Sequence, residues 1–295
     1  MDKLDLKALG KINLGLDVLG KRENGYHDVR MVMQTVYLYD QIRIEKRKET
    51  GISLSTNLFY LPVNENNLAY RAASLLMEEF QIKEGVKITL DKHIPVAAGM
   101  AGGSSNAAAV LFGINRMFSL GLSQKDLMER AVSLGADVPY CIMRGTVLAE
   151  GIGEILTPLP DMPKCHVLLS KPPISVSTKL VYEKLDSYDS IEHPDIDGII
   201  KGLKDGDIKK VAASMGNVLE HVTIEEHPVI EEIKNVMRKE GALNAMMSGS
   251  GPTVFGLFTS PRAAQDAYEA LRFGKESELA KQVYLTNFYN VGRNS

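Results

Sequence analysis

At 295 residues, with 44% apolar side chains, the chain is long enough for one large domain or two and carries ample material for a core. Its net charge of -3 supplies no broad basic field, which argues against nucleic acid and anionic membrane as partners. Two cysteines, Cys141 and Cys165, are too few for a disulfide framework and lack metal-site spacing, and with no signal-peptide core and no apolar run near the ~18 residues of a membrane span the expectation is a cytoplasmic protein.

The elements follow in chain order. "KINLGLDV" alternates: Ile12, Leu14, Leu16 and Val18 share one face, and Lys11, Asn13, Gly15 and Asp17 the other. It reads as a strand with one buried face. "HDVRMVMQTVYL" and "DQIRIEKR" read as two further strands. "NLAYRAASLLMEEF" places Leu68, Ala72, Leu75, Leu76 and Phe80 at helical spacing, with Asn66 or Asn67 as cap. "VKITLDKHI" is a strand, and "SQKDLMERAVSLG" a helix capped by Ser123 and ended by Gly135. Pro158, Pro160 and Pro163 lie between two strands and mark the domain junction, dividing the chain into 1–160 and 161–295. Beyond it the pattern predicts a strand from His166 to Ser170 and helices near 177–185, 207–221 and 228–240. Pro228 fits a first helical turn and Gly241 a stop. A strand over 253–258, a helix after Pro261 and a strand near 282–288 close the chain. Strands and helices mix without strict βαβ order, so the fold class is α+β.

One stretch stands apart. "PVAAGMAGGSSNAAAVL", from Pro95 to Leu111, carries little side chain before an alanine-rich helix opening at Ser104. A helix N-terminus presents unpaired N–H groups and about half a positive charge, which a bulky anion reaches only across a bare loop. Gly99, Ala101, Gly102 and Gly103 give that clearance, and Ser104 or Ser105 can cap the helix or donate to a phosphate. Close helix–sheet packing at a tight turn explains the glycines equally well. G-x-x-x-x-G-K-[ST] and G-x-G-x-x-G both fail here. "GGSSN" approaches the hydrolase elbow G-x-S-x-G except for Asn106, so a triad of Ser104, Asp137 and His166 stays open as a reading of another class.

Three blocks in order, "GKINLGLDVLGKRENGYHD", "PVAAGMAGGSSNAAA" and "MSGSGPTVFGLF", with "GADVPYC" between the last two, resemble the GHMP kinase superfamily over essentially the whole chain. Gly10 stands where that family usually has alanine. The resemblance implies a two-domain GHMP kinase-like fold with the active site in the interdomain cleft, and ATP-dependent phosphoryl transfer to an alcohol. "NGYH" and "GADVPYC" narrow it to a small-molecule substrate that is a cytidine diphosphate derivative. The nucleotide loop carries over to Pro95, Val96, Ala97, Ala98, Gly99, Met100, Ala101, Gly102, Gly103, Ser104 and Ser105. The family's loop more often reads G-L-G-G; alanine at 101 is expected to forbid the easiest positive-φ conformation.

The same resemblance implies roles for single residues. Lys11, beside Asn13 on the polar face of the first strand, carries charge at the reacting centre. Asp137, read as a turn residue after a helix end, is the general base, kept ionised by Lys11. Tyr26 stacks on the cytosine and His27 reads its edge; Tyr182 forms a second aromatic wall, with Thr178 toward the erythritol end. Gly249 and Gly251 border the substrate phosphates. ATP brings Mg2+, for which no dedicated carboxylate cluster is visible and to which Ser104 or Ser105 lies nearest. The other histidines, His93, His166, His193, His221 and His227, show no metal spacing. The competing readings are a GHMP kinase of homoserine, mevalonate or a sugar, and a non-catalytic nucleotide sensor; "NGYH" with Asp137 opposes a homoserine kinase, and Lys11 with Asp137 the sensor.

Overall fold

The computed structural model describes residues 1–188 and 190–292. The chain forms two compact units that interleave along the sequence. Met1–Gly10, Leu38–Val96 and Ala101–Met143 make the first; Lys11–Tyr37, Ala97–Met100 and the described residues from Arg144 onward make the second. Strands β1 (Lys3–Lys21) and β2 (His27–Arg47) are long enough to contribute residues to both. The two strands expected over 27–47 are thus one, because no glycine or proline interrupts the β-branched run and both halves find pairing partners.

In the first unit β3 (Ile52–Thr56) runs parallel to β4 (Gly85–Asp91), which pairs antiparallel with Gln41–Arg47 of β2. Helices α1 (Leu68–Glu79), α2 (Gly102–Met117), α3 (Gln124–Ala131) and α4 (Asp137–Met143) belong to the same unit. Asn67 caps α1 by accepting from Ala69 N at 3.0 Å, a contact worth about 1 kcal/mol. Ser123 and Asp126 close a capping box on α3, which stops at Ala131, short of the expected Gly135. Helix α2 lies tight on the strands. A methyl group at Gly113 would meet Ile44 Cδ1 at 2.4 Å and Leu6 Cδ1 at 3.0 Å. That close approach sets the height of the helix, and hence of its N-terminal tip.

The second unit holds β5 (Thr146–Glu150), β6 (Ile155–Pro158), β7 (His166–Lys171), β8 (Gly216–Asn217), β9 (Asn244–Met247), β10 (Val254–Phe258) and β11 (Gln282–Asn287). β5 pairs with Met31–Gln34 of β2 and with β6. A separate antiparallel sheet runs β11-β7-β10-β9, with Phe255 and Phe258 fully buried. Its helices are α5 (Thr178–Leu185), α6 (Ile196–Lys204), α7 (Ile208–Ser214), α8 (Glu220–Glu226), α9 (Val229–Lys239) and α10 (Pro261–Phe273).

Two expectations fail here for tertiary reasons. The helix expected over 207–221 breaks: Met215 turns extended (φ -60, ψ 134), and Gly216–Asn217 pair in parallel with Gly15–Leu16 of β1. β1 is buried on both faces between Ala8 and Val18 rather than on one. Helix α6, which the sequence pattern did not suggest, covers Gly15 so closely that a methyl group there would lie 2.5 Å from Ile199 Cδ1. Lys11, Asn13 and Asp17 are therefore buried polar residues, each needing a partner.

Candidate active site

The loop leading into α2 has unpaired backbone donors at the helix start. Helix α2 begins at Gly102, two residues before Ser104. Its first internally bonded amide is Ser105 N, which donates to Ala101 O at 2.8 Å. The amides of Gly102, Gly103 and Ser104 have no hydrogen-bond partner among the described residues. Three such donors, with the helix's positive end behind them, can hold an anion. Gly103 is exposed, and a methyl group there would meet only Leu68 Cδ1, at 3.6 Å.

Two details differ from expectation. No side chain caps α2, because Ser105 is buried and its Oγ donates to Leu9 O at 2.5 Å; Ser104 is the hydroxyl left at the tip. Ala101 does take a positive φ (φ 53, ψ 32), inside the narrow left-handed basin that a Cβ still permits.

Beneath that tip lies a polar cluster the sequence reading missed. Asp40 is fully buried on β2. Its Oδ1 accepts from His93 N (2.7 Å) and Ile94 N (2.8 Å). Its Oδ2 accepts from Asn106 Nδ2 at 2.8 Å and from Lys92 Nζ, and Lys92 Nζ also donates to Asn106 Oδ1 at 2.8 Å. One carboxylate thus fixes the chain entering the loop (92–94) and the helix leaving it (Asn106). Buried in this way, the ion pair is held by its full set of hydrogen bonds rather than by Coulomb attraction alone.

Asp137 belongs to the same unit and is the first residue of α4, not a turn residue. The preceding turn is closed by Val138 N donating to Gly135 O at 3.1 Å. A carboxylate in a first turn is favoured by the helix dipole, and Pro139 sits where no N–H is needed.

In the second unit the loops around Gly99 and Gly249 meet. Gly99 (φ +72) packs so closely that a methyl group would lie 2.0 Å from Ser248 O, and Ser248 Oγ donates to Gly99 O at 3.0 Å. A methyl group at Gly249 (φ +60) would stand 3.5 Å from Gly99 Cα and 3.6 Å from Asn13 Oδ1. Gly251 (φ +89) faces Met247, whose sulfur would be 2.5 Å from an added methyl. Lys11 is anchored in this layer: its N donates to Met100 O at 3.2 Å and its Nζ to Asn13 Oδ1 at 2.8 Å.

Asn217, from the unexpected β8, holds the second glycine loop by donating from Nδ2 to Met247 O (2.9 Å) and Gly249 O (2.8 Å). Glu220 adds a bond from Met247 N (2.7 Å) and accepts from the buried Lys234 at 2.8 Å. Asn217 went unnoticed because its stretch read as mid-helix.

A third group gathers around His27. Tyr26 is 59% exposed, so core packing does not account for it. The His27 and Tyr182 rings lie 4.9 Å apart, tilted by 43°. His27 Nε2 contacts Asp186 Oδ1 at 2.7 Å, and Lys21 Nζ donates to Asp186 Oδ2 at 2.7 Å. Desolvation pulls the Asp186 pKa upward, but the hydrogen bonds from Lys21 and His27 prevail and hold it below the ordinary carboxylate range. Thr178 Oγ1 and Ser250 Oγ share a hydrogen bond of 2.7 Å, joining α5 to the second glycine loop.

Among the described residues no group of three or more His, Cys, Asp or Glu could hold a metal ion, and no helix is long and apolar enough to cross a membrane. Burial pushes the Cys165 thiol up to about 12 and leaves it inert.

The family described as GHMP kinases N terminal domain matches residues 67–145, and GHMP kinases C terminal matches residues 199–276. The chain is 58% identical over 289 residues to the 4-diphosphocytidyl-2-C-methyl-D-erythritol kinase of Lachnospira eligens, covering 98% of this chain and 99% of that protein. It is 54% identical to the kinase of the same name from Lachnoclostridium phytofermentans, covering 98% of each chain. The crystal structure of a 4-(cytidine 5'-diphospho)-2C-methyl-D-erythritol kinase superposes with a TM-score of 0.82 at 33% identity, over 97% of this chain and 99% of the other.

Proposed function

Since the chain belongs to the GHMP kinases, and within them to the 4-diphosphocytidyl-2-C-methyl-D-erythritol kinases, we propose that it moves the γ-phosphoryl group of ATP onto the 2-hydroxyl of 4-diphosphocytidyl-2-C-methyl-D-erythritol, a step of non-mevalonate isoprenoid synthesis in the cytoplasm. The observation that carries the reading is the bare tip of α2, with three amides that no other part of the described protein satisfies.

Phosphoryl transfer needs positioning and charge stabilisation more than covalent chemistry. The amides of Gly102, Gly103 and Ser104 hold phosphate oxygens, and Pro95 to Ser105 line the triphosphate path. Lys11 is buried with its Nζ held by Asn13, and it supplies positive charge to the transferring group. Asp137 takes the proton of the acceptor hydroxyl. Tyr26, His27 and Tyr182 hold the cytosine, Thr178 the erythritol end, and Gly249 with Gly251 the diphosphate. Mg2+ would come with the nucleotide and would supply charge neutralisation at the phosphates. Its preference for phosphate oxygens and water would suit a site with no carboxylate cluster among the described residues, where the Ser104 hydroxyl would be the protein group within its reach.

A coupled ADP-release assay tests the reading across four acceptors: the cytidyl-methylerythritol substrate, mevalonate, homoserine and galactose. Turnover of the first alone is expected. Turnover of a different member alone would keep the superfamily and overturn the substrate.

A further inference from the structure

Lys21 ends β1, His27 begins β2, and Asp186 follows the last residue of α5. These three side chains form one chain of contacts, Lys21 Nζ to Asp186 Oδ2 and Asp186 Oδ1 to His27 Nε2, each 2.7 Å. An ionised carboxylate only accepts, so the ring proton of His27 resides on Nε2. In the neutral imidazole, Nδ1 is then a lone-pair acceptor. Among the described residues nothing donates to Nδ1, although the His27 side chain is only 8% exposed and leans on Tyr182. Lys21 occupies the second oxygen of Asp186 and shares its charge. The carboxylate therefore orients the ring as one half of an ion pair.

A shielded acceptor beside an aromatic wall distinguishes two pyrimidines. Cytosine carries an amino donor at position 4, and uracil a carbonyl acceptor. We infer that Asp186 is a specificity-determining positioning residue. By keeping the proton on Nε2 it leaves Nδ1 of His27 to accept from the 4-amino group of cytosine and to oppose the 4-oxo group of uracil. The inference rests on the reading of Tyr26, His27 and Tyr182 as the pyrimidine site.

The test is calorimetric binding of CDP and UDP at about pH 8, above the ordinary imidazole range. It is paired with 15N NMR of the His27 ring in the wild type, D186N and D186A. Wild type is expected to show an Nε2–H ring and to bind CDP roughly 10- to 100-fold more tightly than UDP, as one matched base contact against one mismatched contact implies. Both variants are expected to lose most of that ratio while their Tm stays near wild type, because Asp186 is partly exposed. A merely structural aspartate would change affinity for both nucleotides alike. Variants that keep the wild-type ratio, or a wild-type ring protonated on Nδ1, would overturn the inference and leave the kinase reading intact. A wild type that binds neither nucleotide would remove the pyrimidine site, and the inference with it.

Discussion

Gly99→Ala and Gly103→Ala are chemically the same change four residues apart, with opposite expected results. At position 99 the new Cβ would stand 2.0 Å from the carbonyl oxygen of Ser248. Both atoms belong to backbone, so no rotamer change relieves the overlap, and the two loops must part. Parting them breaks the Ser248 Oγ to Gly99 O bond of 3.0 Å, about 1 kcal/mol. Overpacking adds about 1–3 kcal/mol. Holding alanine at φ +72 adds about 1 kcal/mol more. A total of roughly 3–5 kcal/mol implies a fall in Tm on the order of 10 °C.

At position 103 the nearest atom is Leu68 Cδ1 at 3.6 Å, an ordinary contact, and alanine suits a helix better than glycine by about 0.5–1 kcal/mol. Tm should hold or rise. The methyl group, however, covers the approach to the unpaired amides, so ATP affinity should fall by roughly 10-fold or more. Differential scanning fluorimetry with and without ATP reads both effects. A Gly99→Ala protein melting like wild type would refute the packing geometry, and a Gly103→Ala protein with unchanged ATP affinity would refute the phosphate cradle.

Asp137→Asn should lower kcat by roughly 10²–10⁴ while KM for the acceptor changes little, and near-normal turnover would leave Asp137 no role as base. Asp40→Ala strands the Lys92 ammonium in the interior and should cost about 3–5 kcal/mol in urea denaturation, with part of the loss recovered by adding Lys92→Met. Arg130 holds Glu79 below its ordinary pKa of 4.5 through hydrogen bonds that outweigh desolvation. The unfolded chain therefore takes up the proton first as pH falls. This contribution is full above about pH 4.5 and is lost as pH drops through the lower folded value, so Arg130→Gln should flatten the acid side of a Tm-against-pH curve. A thiol reagent at about pH 8 should leave native Cys165 untouched and label it only after unfolding; rapid native labelling would contradict its burial.

What the sequence made legible was local chemistry. Asn67 and Ser123 announced helix starts because a capping side chain bonds within three residues of itself. Gly99, Gly102 and Gly103 announced the bare helix tip for the same reason. The misses are long-range. Nothing in the alternation of β1 shows that α6 will pack against Gly15 from residue 196 onward, so the face carrying Lys11 and Asn13 read as the unburied one and turned out buried. Asn217 read as helical because its pairing with β1 lies some 200 residues away in sequence. Asp40 and Lys92 lie in two stretches read only as strands, "DQIRIEKR" and "VKITLDKHI", and only folding brings them into one network with Asn106. The residues proposed to meet substrate were thus named through motif resemblance, while those that hold the loops in place, Asp40, Lys92 and Asn217, were not.

Hydrogen exchange of the backbone amides, with and without ATP and Mg2+, tests most directly whether the exposed end of α2 receives the nucleotide. Protection is expected to centre on Gly102, Gly103 and Ser104, whose N–H groups have no partner among the described residues, and to extend along the loop from Pro95. ATP binding that leaves those amides exchanging freely while protecting some other surface would contradict it.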